Sequence, residues 1–237
     1  MTLKVYVDRM SKPTRAIITF CKINGIEFEE VKVDIARRQH RSPEFKVMQF
    51  SFTLLEYSRA WQIIGKYTSS TLPFFLFAFY YMQYPSDLFK RAKVQSVLDW
   101  HHRNLRQGAA PALGLPLNPQ AVAEAEKVLS SSLLKLETIW LKGKGPFLLG
   151  GFQPMIADLS LVCELMQLEV VEEETRQRIL SPHKKVQKWM DSTRKATQPH
   201  FDEVHEIVFK VKTKLQQIKQ SEAESRRKSA GTGTSRM

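Results

Sequence analysis

The chain carries only two cysteines, Cys21 and Cys163, in 237 residues. A disulfide-built scaffold is excluded, and neither thiol has a metal-ligating partner at useful spacing. Both read as buried, reduced thiols of an intracellular protein. Long apolar runs are missing too. The nearest, Leu72 to Met82, is too short to span a membrane. Charged and polar residues interrupt the N-terminus from Lys4 onward, so no secretory signal is expected. No segment repeats. Acid is also scarce, with 24 Asp and Glu against 36 Lys and Arg for a net charge of +12. That balance invites a nucleic-acid reading, but its distribution speaks against one. Lys210, Lys212, Lys214, Lys219, Arg226, Arg227, Lys228 and Arg236 face only Glu222 and Glu224 at the end of the chain. The simplest account is a solvated basic tail, with RNA, anionic lipid or an import receptor left as partners it could touch.

What is present is enough apolar sequence for one large domain or two small ones. Leu3 to Val7 alternates as a strand does. Pro13 suits the first turn of a helix and Gly25 its end, and Phe28 to Val33 alternates again. Two short strands joined through a helix predict a parallel βαβ unit. From Pro85 the pattern turns helical. Helices are expected over Lys90–Leu105, about Gln120–Leu141 and Ile156–Leu168, with another around Val186, Trp189 and Met190. A last helix carries Val204, Val208, Val211, Leu215 and Ile218 as one apolar stripe that docks on the preceding helices. After Gln220 the chain becomes Ser, Gly, Thr and charge, and disorder is expected. His101 and His102, beside Asp99, are neighbours on a helix and make a poor chelate, so an ordinary helix surface is expected. Glu172-Glu173-Glu174 reads as a solvated acidic turn.

Ser11 is the most suggestive residue. It stands between the first strand and a helix opening at Pro13, where unpaired amides and the macrodipole favour negative charge. Two readings stay open. The hydroxyl caps the helix, which the residues alone favour. Or it donates a hydrogen bond to the sulfur of a bound thiol and lowers its pKa. His40 and Arg41, with Arg37 and Arg38, read from the residues alone as a solvated basic loop.

Several stretches are similar to plant theta-class glutathione transferases. Leu3 to Lys46 contains VYVDRMSKPTRAIITFCKINGIEFEEVKVD and PEFK. Tyr84 to Lys210 contains YPSDL, KRAKVQSVLDWHHRNLR, ALGLPLNP, FLLGGFQPMIADLSLVCELMQLE, HKKVQKW and PHFDEVHEIVFK. The resemblance implies an α/β N-terminal thioredoxin-like domain over residues 1–84, an all-α C-terminal domain over 85–219 and a tail over 220–237. It implies that glutathione, as co-substrate and with no further cofactor, attacks hydrophobic electrophiles, with reduction of organic hydroperoxides in some members. It also implies a homodimer and a role in detoxification. By the same resemblance Ser11 faces the glutathione sulfur, Lys12 borders the glutathione site, and His40 and Arg41 meet the glycyl end. The helix from Phe201 to Lys219 is expected to cover the electrophile pocket. Ser235-Arg236-Met237 resembles the tripeptide that addresses proteins to peroxisomes, with cytoplasm and nucleus as alternatives.

The chain departs from the family over residues 47–83. The family's Asn-Pro turn, cis-proline step, Asp-Gly turn and Glu-Ser pair do not occur in order. Leu55-Glu56-Tyr57-Ser58 and Leu72-Pro73-Phe74 echo two of them in reversed sequence, and neither is carried over as a binding element. A dense aromatic run from Pro73 to Met82 stands there instead, and a mis-spliced reading of the gene would account for it. Fewer residues than the family's also stand between Ala110 and Pro111. Met155 replaces the hydroxyl cap three residues before Asp158, a loss of about 1 kcal/mol that Pro154 partly offsets. Asp158 is expected to be structural. The second functional expectation is therefore a non-catalytic ligand-binding or interaction protein of the same fold, or a defective paralogue.

Overall fold

The computed structural model describes residues 3–43, 87–109 and 118–231. Stretch 47–83, the step between Ala110 and Pro111, and Ser235-Arg236-Met237 lie outside the described residues.

Strand β1 (Leu3–Val7) pairs in parallel with β2 (Phe28–Lys32), from Leu3 opposite Phe28 to Val7 opposite Lys32. Parallel neighbours need a crossover, and α1 (Lys12–Ile23) supplies it. Its end is set by Gly25, whose φ of 62° is the left-handed conformation that a glycine adopts without a Cβ penalty. The amide of Ile26 closes this turn on Cys21 O at 2.9 Å.

The helical part contains α2 (Leu88–Arg103), α3 (Leu105–Gly108), α4 (Pro119–Lys135), α5 (Ile156–Leu165), α6 (Glu173–Leu180), α7 (Lys184–Ala196) and α8 (His200–Gly231). Asp87 and Asn118 cap α2 and α4 by accepting from Lys90 N and Ala121 N, each at 2.7 Å. The expected helix to Leu141 is α4 followed by a wider π-type turn over Leu136–Trp140. The expected helix to Leu168 is α5 with a 3₁₀ turn over Met166–Val170. Between them the backbone folds tightly, and a Cβ on Gly145 would fall 1.9 Å from Gly151 O.

Helix α5 is the central element, with every residue from Ile156 to Leu165 buried. Asp158 at its start is a structural carboxylate. It accepts from Leu148 N at 2.9 Å, Met155 N at 2.8 Å and Trp189 Nε1 at 2.7 Å. Half of the reciprocal cap thus survives the replacement by Met155. Burial pushes the Asp158 carboxyl up to about 6, while these hydrogen bonds pull the other way. Glu137 caps α7 from outside, accepting from Lys185 N at 2.7 Å.

Two expectations need correction here. Glu172-Glu173-Glu174 is not a turn alone, because Glu173 opens α6, where first-turn acid suits the helix dipole. The helix α8 also continues to Gly231, past the expected start of the tail at 220. Glu222 to Lys228 has few residues that oppose helix, so a helix already nucleated by packing extends through it. The packing is confined to the first half of α8. Val204 and Val208 are fully buried, whereas Leu215 and Ile218 are 39% and 43% exposed. Lys212 there binds Glu169 Oε2 at 2.8 Å and Glu173 Oε2 at 3.2 Å, and Lys219 pairs with Glu172. Part of the basic charge is therefore met by the acidic run.

Two outcomes are expected. Asp158→Ala strands three donors and should lower the unfolding free energy by about 3 kcal/mol, read from the urea midpoint at unchanged slope. His205 is buried, stacks on Phe201 with ring centroids 4.1 Å apart, and donates from Nδ1 to Phe201 O at 2.8 Å. Burial holds its pKa down to about 3 from 6.5. Between those values the unfolded chain takes up a proton that the folded one refuses, so the stability His205 contributes is present above pH 6.5 and lost as pH falls toward about 3. Unfolding of His205→Phe across that range should show a shallower acid slope than the wild type.

Candidate functional site

Both strands are parallel, so the loops after β1 and β2 leave from the same end of the sheet. That is the end where α/β folds receive ligands. Asp8 builds the first loop. Its carbonyl accepts from Ser11 N at 2.8 Å and its carboxylate from Met10 N at 2.9 Å, an Asx turn. The other carboxylate oxygen accepts from Ile35 N at 3.1 Å. One side chain thereby joins the Ser11 loop to the loop that leads to His40 and Arg41. The second loop is closed by Asp34, which accepts from Arg37 N at 2.8 Å, and by Gln39 Oε1, which accepts from Asp34 N at 2.9 Å. His40 and Arg41 fall in the short 3₁₀ turn Gln39–Arg41, with Arg41 exposed and His40 half-buried.

Ser11 occupies the N-cap position of α1 with extended backbone, φ −72° and ψ 124°. Its side chain makes no capping hydrogen bond. The capping account of this hydroxyl is not what the geometry displays. Ser11 is half-buried as a residue and stands at the N-terminus of α1 and at the strand end, with its own amide already engaged by Asp8.

Lys12 follows Ser11 in sequence but its ammonium turns inward. It is 5% exposed and ion-paired with Glu164 of α5. The second oxygen of Glu164 meets His101 Nε2 of α2 at 3.2 Å. Burial lowers the pKa of Lys12, with the Glu164 charge opposing. Burial likewise lowers that of His101, so its neutral ring donates from Nε2. The Glu164 carboxyl, although desolvated, is held below its usual value by the His101 hydrogen bond and the Lys12 charge. His101 is thus fully buried and not on an ordinary helix surface, while His102 is exposed. Among the described residues no group of three His, Cys, Asp or Glu is placed to hold a metal ion.

Arg15, also fully buried, completes this layer. It donates from Nη1 to Arg9 O at 3.0 Å and Met10 O at 2.9 Å, and from Nη2 to Cys163 O at 3.0 Å and Gln167 Oε1 at 3.1 Å. Arg9 itself grips β2 through a two-point contact with Glu30 at 3.0 and 2.6 Å. The sequence reading gives no role to Asp8, Arg15, Glu164 or Gln167. Two signals could have found them. Lys12, Ala16 and Phe20 share one face of α1, next to Arg15 and Thr19, and Glu164 and Gln167 are the polar interruptions three apart near the end of the most apolar helix. Cys21 and Cys163 are buried as expected, and burial pushes each thiol up to about 12, which leaves them inert.

A separate cleft of about 370 Å³ lies between Val170–Glu174 and the middle of α8, at Lys212, Leu215, Gln216 and Lys219. None of Ser11, Lys12, His40 and Arg41 lines it. Among the described residues no helix is long and apolar enough to cross a membrane.

Residues 119–192 match the family described as Glutathione S-transferase, C-terminal domain. The chain is 55% identical over 235 residues to glutathione S-transferase T1 of Arabidopsis thaliana, covering 91% of this chain and 93% of that protein. It is 52% identical to glutathione S-transferase T2 of the same plant, over 91% of this chain but only 38% of that protein. Human glutathione S-transferase T1-1 in its apo form superposes with a TM-score of 0.71 at 28% identity, over 89% of this chain and 90% of that one. Human glutathione transferase theta-2, solved with glutathione and an unknown ligand, does so with a TM-score of 0.70 at 25% identity, over 89% and 88%. The chain belongs to the theta class of the glutathione S-transferases, with a thioredoxin-like N-terminal domain followed by an all-helical one.

Proposed function

We propose that this protein is an enzyme that conjugates glutathione to hydrophobic electrophiles, with Ser11 as the residue that activates the sulfur. The observation that carries the reading is the uncommitted Ser11 hydroxyl at the N-terminus of α1. A thiol bound there would take a hydrogen bond from Ser11 Oγ–H and feel the positive end of the helix, and both favour its thiolate. The thiol proton leaves to solvent. The thiolate then attacks an electrophilic carbon, a sulfur–carbon bond forms, and the leaving group departs with its electron pair. With an organic hydroperoxide the sulfur attacks the outer oxygen and the oxygen–oxygen bond breaks. The alkoxide takes a proton from solvent and leaves as the alcohol, and a second glutathione thiol attacks the resulting sulfenic acid to form the disulfide and release water. Neither course needs a metal or a further cofactor.

Glutathione is anionic, and His40 with the exposed Arg41 offers positive charge and donors for its glycyl carboxylate at the same sheet end. Lys12 borders the site through its main chain, its ammonium being engaged by Glu164. Exposed Leu88 and Phe89 at the start of α2 suit contact with a second copy of the chain, in keeping with a homodimer. A detoxifying role in peroxisomes follows if Ser235-Arg236-Met237 is read by the import receptor.

Two measurements test this. Wild type should be retained on immobilised glutathione and turn over a benzyl-type electrophile or an organic hydroperoxide. Ser11→Ala should still be retained but lose about 100-fold in kcat/KM, and full activity in that variant would overturn the sulfur-activating role. A fluorescent reporter carrying residues 220–237 should enter peroxisomes, and deletion of Met237 should leave it in the cytoplasm.

A further inference from the structure

The loop that presents Ser11 is held from the helical domain, at both of its flanks. On the upstream side, Arg15 Nη1 binds the carbonyls of Arg9 and Met10, the residues just before Ser11. Its Nη2 binds Cys163 O on α5 and Gln167 Oε1 in the 3₁₀ turn that follows. On the downstream side, Lys12 is tied to Glu164 of α5, and Glu164 to His101 of α2. A guanidinium can make such a four-point clamp because its donors form a rigid planar fork, which a lysine cannot reproduce. Ala16 and Phe20 already join α1 to the apolar core of the helical domain, and buried ion pairs are poor contributors to net stability. What they add is registry, fixing the loop relative to α5.

We propose that Arg15 and Glu164 are positioning residues through which α5 sets the placement of Ser11 against a bound sulfur. The proposal rests on the sulfur-facing reading of Ser11 given above. A hydrogen bond to sulfur depends steeply on distance and angle, so a loop displaced by a fraction of an ångström loses thiolate stabilisation before it loses glutathione.

The test uses the full-length protein and the ultraviolet absorbance of glutathione thiolate in the binary complex, followed against pH. Ser11→Ala, Arg15→Lys, Glu164→Gln and the double variant Ser11→Ala/Arg15→Lys are compared with wild type. Arg15→Lys and Glu164→Gln should stay folded by circular dichroism, keep KM for glutathione near wild type, and titrate the bound thiol about one unit higher with about a tenfold fall in kcat. The double variant should titrate no higher than Ser11→Ala alone, because positioning is irrelevant once the hydroxyl is gone. A merely structural role would leave the titration in place or add to that of Ser11→Ala. A wild-type titration in folded Arg15→Lys and Glu164→Gln overturns the proposal, as does an additive shift in the double variant. If Ser11→Ala itself titrates as wild type, the sulfur-facing reading fails and this proposal with it. If Ser11→Ala shifts and the other two do not, only the positioning fails. Should Arg15→Lys not fold, the isosteric Glu164→Gln and its pairing with Ser11→Ala carry the same comparison.

Discussion

The packing of α1 onto α5 is the contact on which the rest of the molecule depends. It joins the βαβ unit to the helical domain, and it mixes two kinds of interaction. Ala16, Phe20 and Cys21 belong to the same apolar core as Val97, Leu98, Leu159 and Val162. Removing that surface from water supplies the stabilising free energy, at about 25 cal/mol per Å². Into the same interface the chain buries Lys12, Arg15, Glu164 and His101. Charged groups rarely go there, since each must recover its lost hydration from hydrogen bonds and opposite charge. Here nearly every donor finds a carbonyl, an amide or a carboxylate. The apolar part holds the domains together and the polar part decides how they sit.

This arrangement explains how a short loop can hold the Ser11 hydroxyl steadily. Loops that bear function are rigid only when their backbone groups are satisfied from a scaffold. The Ser11 loop is satisfied three ways. Asp8 folds it on itself and onto the second loop, Arg15 clamps its carbonyls to the helical domain, and Arg9 locks to Glu30 on β2. The hydroxyl is then left over, since other groups do the work of shaping the turn. A donor left over in this way is what the proposed sulfur-activating role of Ser11 requires.

The sequence conveyed much of this. β1 falls on the expected residues, α1 starts within one residue of expectation, and Gly25 ends it in the left-handed conformation. These are local rules, carried by proline, glycine and alternation. The structural role of Asp158 was legible for the same reason, because its partner Met155 N is three residues away. The acidic run at Glu172 and the fully buried His101 were not. A charged turn and a charged helix start look alike in composition, and a histidine announces nothing about burial until the helix packed against it is known.

By itself, then, the amino-acid order determined the elements, the class of fold and the candidate serine, because these follow from periodicity, caps and motifs close together in the chain. The tertiary structure decided what each polar residue does. Lys12, expected only to border the glutathione site, and Arg15, given no role, became buried struts, since Glu164 and Gln167 lie 152 residues away from them in the chain and meet them only when α5 docks. Likewise only the fold showed that the Ser11 hydroxyl is unused in capping. Hydrogen-bond partners are set by three-dimensional distance, and distance across a domain interface is not written in any local pattern.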